Sequence, residues 1–545
     1  KGNLSMKQPK PIGRQYNDII NNVNNGIYQI PKFQRDFVWS KEQTAKLIDS
    51  LLKGFPIGSF ILWKTNQKLK SLKKIGGVIF NEVKDGDYVY YILDGQQRMT
   101  SLYLALSGAQ IEKVSYKEIY IDLDKDIDSN DDICVLEKTN RCISFYDLIS
   151  QRISHFNKMF DELTVEKIED LREHLKNYEF STIEIENQSI DKIADIFTRI
   201  NTGGKVLTLF EIMNAKVYSE DIYDAEGQLI EKGFDLEEKF DELIEVLKKG
   251  GYETIGENKT IVLQLISLIL MKNAKREAIL SLDKNSFIAE WSNAIKCLKK
   301  AIDKIRDYFK IPVSKLLPYY VLIVPLAYFY NINKCLEPSN KQLKEFEKYF
   351  FRSAISWRFS SSVETNLNAD IKIVEMIHSH DEIDFDKEIP LPNKSKEYFI
   401  DMMKQDFSAS NAFQKAVLCI LASRDPKKFS DNSTVRLDNS FLNISSSKNY
   451  HHFFPKAYLG KQNASEYANA LANITLVDDF LNKVVIKDKD PKKYITDFQK
   501  DNPDIANTLQ SHFIELNGYG ILENDYVLFL EKRASALADE LLKKI

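Results

Sequence analysis

Cysteine is scarce and dispersed. The 545 residues include five (Cys134, Cys142, Cys297, Cys335, Cys419). Their number is odd and no C-x-x-C pair occurs, which argues against a structural zinc site and against a disulfide framework. A reducing cytoplasm is the expected compartment. Net charge is small as well: 75 Lys and Arg against 79 Asp and Glu leave −4, so no global field advertises nucleic acid and any DNA contact must come from local basic patches. Long apolar runs are missing. The longest, Ile261–Met271 and Tyr319–Tyr330, fall short of the ~20 residues a membrane helix needs. They read as buried core helices, and no membrane partner is expected. No signal peptide opens the chain. Lys1–Ser5 precede Met6 and read as an extraneous leader, with residues 1–9 a flexible N-terminus.

What is present describes an ordinary globular chain, 43% hydrophobic and 28% charged, long enough for two to four domains. Near the N-terminus, Ile27–Pro31 reads as extended. Ser40 starts a helix, with Gln43 three residues on as a capping box. Leu47, Ile48, Leu51 and Leu52 give that helix one apolar face, and Gly54 ends it. Ser59–Trp63 and Tyr88–Leu93 read as strands. Directly after the second comes Asp94-Gly95-Gln96-Gln97-Arg98, and a helix then runs through Met99–Leu106 to Gly108.

A polar, glycine-containing pentad at a strand-to-helix junction suits phosphate, because the helix N-terminus exposes unpaired N–H groups at its positive dipole end. Arg98 adds a planar donor fork, and Asp94 could hold a metal or orient a water. The same five residues also read as a tight turn with Arg98 in a surface ion pair, since the Gly and Lys pattern of a P-loop is lacking. Further on, Asp191–Ile200 is a predicted helix ending in Asn201-Thr202-Gly203-Gly204-Lys205. Thr208 opens another, with Glu211 in the capping-box position. The two glycines would let backbone N–H groups approach an anion; equally, they would serve as a plain connection between helices.

Pro31, Gln34-Arg35 with Trp39, the Asp94–Arg98 pentad and Phe197–Gly204 together resemble the N-terminal domain of the GmrSD-type, modification-dependent (type IV) restriction enzymes. The resemblance covers roughly residues 10–225. It implies a ParB/sulfiredoxin-like α/β domain that binds and hydrolyses a nucleotide, GTP first among the candidates. Asp94, Gln97 and Arg98 would be the catalytic residues of this NTPase, and Arg35, Gly95, Gln96, Thr100, Asn201 and Gly203 would contact the nucleotide.

Residues 226–394 read as a helical middle region, with helix-like apolar spacing over 234–249, 260–272, 287–309 and 342–354. Tyr349-Phe350-Phe351-Arg352 and Trp357–Ser362 mix aromatics with arginine. Core packing, with the arginines reaching outward, is the expectation there. His378 and His380, two apart, make a poor metal pair. Residues 381–394 are polar and proline-containing, a candidate linker. The stretch 395–423 returns to helix, and 425–439 is loop-like.

The strongest chemical signal lies in 395–545. His451-His452-Phe453-Phe454-Pro455 precedes an apolar stretch, Leu471–Val477, that reads as a strand. Asp478 would cap a following helix, with Asn482 one turn inside it. A histidine able to take a proton from water, with an oxygen ligand opposite for a metal, is a minimal kit for phosphodiester hydrolysis. The arrangement resembles the HNH (ββα-metal) nuclease module found at the C-terminus of the GmrSD-type proteins. By that resemblance His451 and Asn482 are metal ligands, His452 is the general base and Asn473 braces the loop. Histidine at His451 leaves the metal open between Mg²⁺ and Mn²⁺, because nitrogen suits transition metals better than magnesium. Adjacent strand side chains point to opposite faces, so both histidines can serve one site only at a strand end or bulge. From 448 to 494 eight lysines face five acids. Lys456, Lys483 and Lys487 are the expected phosphate contacts.

The fold expected is therefore α+β multidomain. The function expected is an NTP-dependent, modification-sensing DNA endonuclease, a nickase by its single site, acting in anti-phage defence. Its partners would be double-stranded, modified DNA and a nucleotide, with a homo-oligomer left open. Two alternatives remain: a ParB-like regulatory protein with an inactive HNH domain, and, lower, a sulfiredoxin-like redox enzyme. The last would need a cysteine near the pentad, and Cys134 and Cys142 lie far downstream.

Overall fold

The aromatic and branched residues of Phe60–Thr65 and Val89–Asp94 form the central strands of a five-stranded sheet. In the computed structural model, which describes residues 9–34, 36–72, 74–75, 78–84, 86–128, 131–186, 188–200, 207–224, 226–439, 450–464, 466–477, 486 and 488–545, the chain divides into two compact units, Lys1–Leu236 and Glu237–Ile545. The second unit takes in most of the segment expected as a helical middle region (237–394 of 226–394) and the whole of the segment expected to carry the histidine site, 395–545.

The sheet of the first unit contains β1 (Lys10–Arg14), β2 (Tyr28–Gln29), β3 (Phe60–Thr65), β4 (Val89–Asp94) and β5 (Phe180–Glu186), in the order β1-β5-β3-β4-β2. Strands β1/β5 and β3/β4 are antiparallel, whereas β5/β3 and β4/β2 are parallel. Side chains on both faces are buried, Leu62 and Ile92 on one and Trp63 and Tyr91 on the other. Phe60, Leu62, Ile92 and Phe180 pack into one core with α1 (Tyr16–Asn24), α2 (Lys41–Leu52) and α3 (Gln96–Ser107). Trp63 and Tyr91, one residue out of phase with Leu62 and Ile92, are also fully buried. The Tyr91 hydroxyl anchors the 67–69 segment by accepting from Leu69 N at 2.6 Å.

Local chemistry sets the helix ends. Ser40 and Gln43 form the expected reciprocal capping box of α2, and Thr208 with Glu211 does the same for the helix Leu209–Val217. Helix α3 is buried along almost its whole length, Gln96 and Gln97 included, so it is the first unit's central helix. Gly95 starts it in the left-handed region (φ 89). A Cβ there would lie 2.6 Å from Phe60 Cδ1, so only glycine allows this turn.

In the second unit the helices Thr260–Met271, Lys284–Asp307, Ile323–Ile332, Asn340–Ile355 and Val363–Ser379 bury continuous apolar faces. Among the described residues no helix is long and apolar enough to cross a membrane. Tyr349, Phe350 and Phe351 are core residues, as expected. The arginines beside them are not directed outward. Arg358 Nε donates to Asp370 Oδ1 at 2.9 Å, Tyr349 donates to the same carboxylate at 2.6 Å, and Arg352 pairs with Asp386 at 2.6 Å. Asp370 is fully buried, and a buried carboxylate demands a cation and hydrogen bonds close by. That demand turns Arg358 inward.

The unit closes on a short hairpin, β6 (Tyr450–His452) antiparallel to β7 (Ile474–Leu476). The expected strand over 471–477 is split. Leu471–Asn473 form a 3₁₀ turn, and only Ile474–Leu476 pair.

Candidate functional site

Two constellations stand out. In the first unit, β4 delivers Asp94 and the Gly95 turn delivers Gln97 and Arg98. Arg98 Nη1 donates to Ile57 O at 2.7 Å, and Nη2 to Ser59 O at 3.0 Å and Asp94 Oδ2 at 3.1 Å. The guanidinium also lies over the Phe60 ring, 5.5 Å from its centroid. A Cβ at Gly58 would sit 2.2 Å from Arg98 Nη1, so glycine is required where the arginine passes. Gln97 is equally engaged. Its Oε1 accepts from Val38 N at 2.9 Å and Trp39 N at 3.3 Å, while Nε2 donates to Asp36 O at 3.0 Å. Gln34 Nε2 donates to Ile92 O on β4. The pentad thus pins two upstream segments, 36–39 and 57–59, to the start of α3.

What remains for a ligand is limited. Asp94, 35% exposed, uses one carboxylate oxygen on Arg98. The first N–H groups of α3 have no helical acceptor. Thr100 is buried with its hydroxyl unpartnered among the described residues. Both readings of the pentad meet here: it is a tight turn with an Arg98–Asp94 ion pair, and it also presents a helix N-terminus. Arg35, Asn201 and Gly203 lie outside the described residues.

The second constellation is the β6/β7 hairpin. Asn473 is fully buried. Its Oδ1 accepts from Phe454 N at 2.9 Å, and its Nδ2 donates to Phe454 O at 2.9 Å and Ala468 O at 3.0 Å. This one amide closes the loop between the two strands. Arg533, fully buried on the helix Tyr526–Leu542, holds the same turn from outside through Nη1 to Ala472 O at 2.8 Å. Its Nε donates to His512 O at 3.1 Å, and Nη2 has no partner among the described residues. Burial without an acid lowers the Arg533 pKa to about 9, so the group stays cationic at neutral pH.

The register His451↔Thr475, His452↔Ile474 is regular, and the two rings meet different partners. His451 turns into the core beside Phe429 and Tyr494. The Thr475 hydroxyl donates to His451 O at 3.2 Å. With that proton on the carbonyl, the 2.9 Å contact between Oγ1 and Nδ1 is donated by the imidazole. Nε2 then carries the lone pair, and it is buried without a partner among the described residues. Burial first, then the nearby His452, His512 and Arg533, lower the pKa to about 3, so the ring is neutral.

His452 is half-buried, and its Nε2 is 3.0 Å from Asn469 Oδ1. Asn469 Nδ2 donates to Phe407 O at 3.3 Å, which turns Oδ1 toward the histidine. His452 is therefore protonated at Nε2, and its basic lone pair is at Nδ1. Burial, partly offset by the Asn469 bond, and the exposed Lys456 lower this pKa to about 4. Asn482, Lys483 and Lys487 lie outside the described residues, among which no group of three or more His, Cys, Asp or Glu could hold a metal. Asn469, Thr475 and Arg533 were not singled out from sequence. Each works through a partner brought in by folding, which no local pattern marks.

Comparison with known proteins covers both units. An uncharacterized protein of Methanocaldococcus jannaschii is 23% identical over an alignment spanning 97% of this chain and 98% of the relative. Residues 16–218, the segment holding the Asp94–Arg98 turn, match the family model of the GmrSD restriction endonuclease N-terminal domain.

Proposed function

We propose that the protein is a DNA endonuclease whose C-terminal unit hydrolyses phosphodiesters under the control of a nucleotide bound by its N-terminal unit. The observation that carries this reading is the leftover valence of the hairpin: among the described residues, one neutral imidazole nitrogen has no partner at His452 Nδ1 and another, at His451 Nε2, is buried and unpartnered. The similarity of residues 16–218 to a restriction endonuclease domain supports DNA as the substrate.

In this mechanism His452 takes a proton from water at Nδ1, with Nε2–H held by Asn469. Its low pKa keeps it unprotonated before substrate arrives. The negative charge of a bound phosphodiester favours the imidazolium and lifts the pKa back toward neutrality. Lys456 beside it contacts phosphate, together with Lys483 and Lys487. Asn473 braces the loop that presents the histidine. The orphaned Nε2 fits a ligand to a divalent cation, and His451 with Asn482 would hold Mg²⁺ or Mn²⁺. Such a cation, when bound, polarises the scissile phosphate and offsets charge on the leaving oxygen. One site per chain cuts one strand, so the first product is a nick.

The N-terminal unit is proposed to bind and hydrolyse an NTP, GTP first, at the start of α3, with Asp94 orienting water there. Arg98 and Gln97 act by holding the turn, since their donors are engaged by the chain. The DNA recognised carries a modification, in keeping with defence against phage. A second reading, a nucleotide-responsive DNA-binding protein that does not cut, draws on the different partners of His451 and His452. A supercoiled-plasmid assay with Mg²⁺ or Mn²⁺, matched modified and unmodified DNA, and NTP present or absent separates the two. Metal-dependent nicking is expected, falling about 10²–10⁴-fold in His452→Ala. Wild-type-level nicking by that variant would sink the assignment.

A further inference from the structure

Two of the five dispersed cysteines meet in the second unit. Cys297 lies on the helix Lys284–Asp307, and Cys335 lies three residues beyond the end of the helix Ile323–Ile332. They are 38 residues apart in sequence, yet their sulfurs are 3.5 Å apart. Folding places them this way because the two helices pack along each other and the chain then reverses through Lys334 and Cys335. Both of these residues are in the left-handed region, at φ 51 and 60. Non-glycine residues seldom adopt that conformation, and two in succession are a costly turn. The Cys335 N–H donates to Tyr330 O at 2.7 Å, which closes the end of the helix. The turn aims the Cys335 sulfur back at Cys297.

The two thiols differ in access. Cys297 is fully buried, and Cys335 is half-buried at the surface. Lys300 and Lys304 stand one turn and two turns along from Cys297, both paired with Glu337. This cluster is remote in sequence from both constellations described above and has no part in the proposed hydrolysis.

We propose that Cys297 and Cys335 are a redox-active dithiol that closes to a disulfide by exchange with a small external disulfide, stapling the two helices. Cys335, the accessible thiol, attacks as its thiolate on one sulfur of the external disulfide. One S–S bond breaks, a new one forms to Cys335, and a small thiolate leaves. Cys297 then loses its proton to solvent and attacks the Cys335 sulfur, expelling the second small thiolate. The external disulfide is reduced to two thiols, and the protein dithiol is oxidised by two electrons. Burial pushes the Cys297 thiol up to about 12, which assigns the first attack to Cys335 and the resolving step to Cys297. In a reducing compartment the pair stays open, so closure reports an oxidising shift.

The test uses the full-length chain incubated with oxidised glutathione, followed by alkylation and peptide mass mapping under non-reducing conditions. The expected result is a single linked peptide joining Cys297 to Cys335, two fewer alkylated thiols, and reversal by dithiothreitol. Cys297→Ser should instead trap glutathione on Cys335, and Cys335→Ser should abolish both products. Glutathione persisting on Cys335 in the wild-type protein, or no linked peptide while the circular dichroism spectrum remains that of the folded chain, would overturn the proposal.

Discussion

The two constellations spend their polar groups differently. In the pentad, Arg98 donates to two carbonyls and a carboxylate, and Gln97 satisfies three backbone groups. In the hairpin, Asn473 and Arg533 hold the frame, while among the described residues His451 Nε2 and His452 Nδ1 have no partner. Buried polar groups are nearly always paired, so each unpaired one calls for an explanation; Arg533 Nη2 and the Thr100 hydroxyl are unpartnered as well among the described residues. In the pentad, Arg98 and Gln97 are thus committed to holding the fold.

The largest expected effect sharpens the frame-versus-site division within the hairpin. Asn473→Ala would leave Phe454 N, Phe454 O and Ala468 O without their buried partner. Each unsatisfied buried group costs about 1–3 kcal/mol, so loss of cooperative folding in the C-terminal unit is expected by calorimetry. His452→Ala, by contrast, should cut DNA nicking with little change in melting. Equal stability of both variants would erase the distinction.

The next effect tests the pentad. Arg98→Ala removes the donors to Ile57 O, Ser59 O and Asp94 and should destabilise the N-terminal unit by about 2–4 kcal/mol, measurable by urea unfolding. Nucleotide turnover should fall with it. An Arg98→Ala protein of unchanged stability with turnover abolished would move Arg98 from the frame to the site. Undiminished turnover would remove the pentad from nucleotide chemistry.

A more gradual effect comes with acid. His451, His452 and His512 are held by burial at about 3, about 4 and about 4, whereas an unfolded histidine titrates near ~6.5. Between these values the unfolded chain binds more protons, so stability is complete above ~6.5 and is lost as pH falls toward ~4. Each histidine contributes up to ~1.4 kcal/mol per pH unit within that window. His512→Gln should flatten the pH dependence of C-terminal unfolding by about a third of its slope. A slope unchanged by that substitution would contradict the burial-driven depression.

Much of the local structure was legible in the chain. Ser40 with Gln43 and Thr208 with Glu211 form the predicted capping boxes. Asp94 ends a strand, Gly95 turns, and Gly108 ends the helix in the left-handed region, all signals carried within a few residues. The apolar spacing of 260–272 and 287–309 likewise marked the buried faces now seen in Thr260–Met271 and Lys284–Asp307. Such features depend on neighbours three or four positions apart, and a sequence displays those directly.

What the tertiary structure alone decided depends on contacts that sequence spacing does not encode. Arg98 reaches Ile57 across 41 residues, Gln97 reaches Val38 across 59, and Arg358 turns inward because Asp370 is buried. The tautomers of His451 and His452 follow from Thr475 and Asn469, which hold no motif position. Cys297 and Cys335 looked unrelated until two packed helices and a left-handed turn set their sulfurs side by side. By itself the sequence determined which residue types, helices and turns were available for the proposed hydrolysis and phosphate binding. Only packing decided which of their polar atoms were consumed by the fold and which were left over for chemistry, because that outcome depends on desolvation and on partners far along the chain.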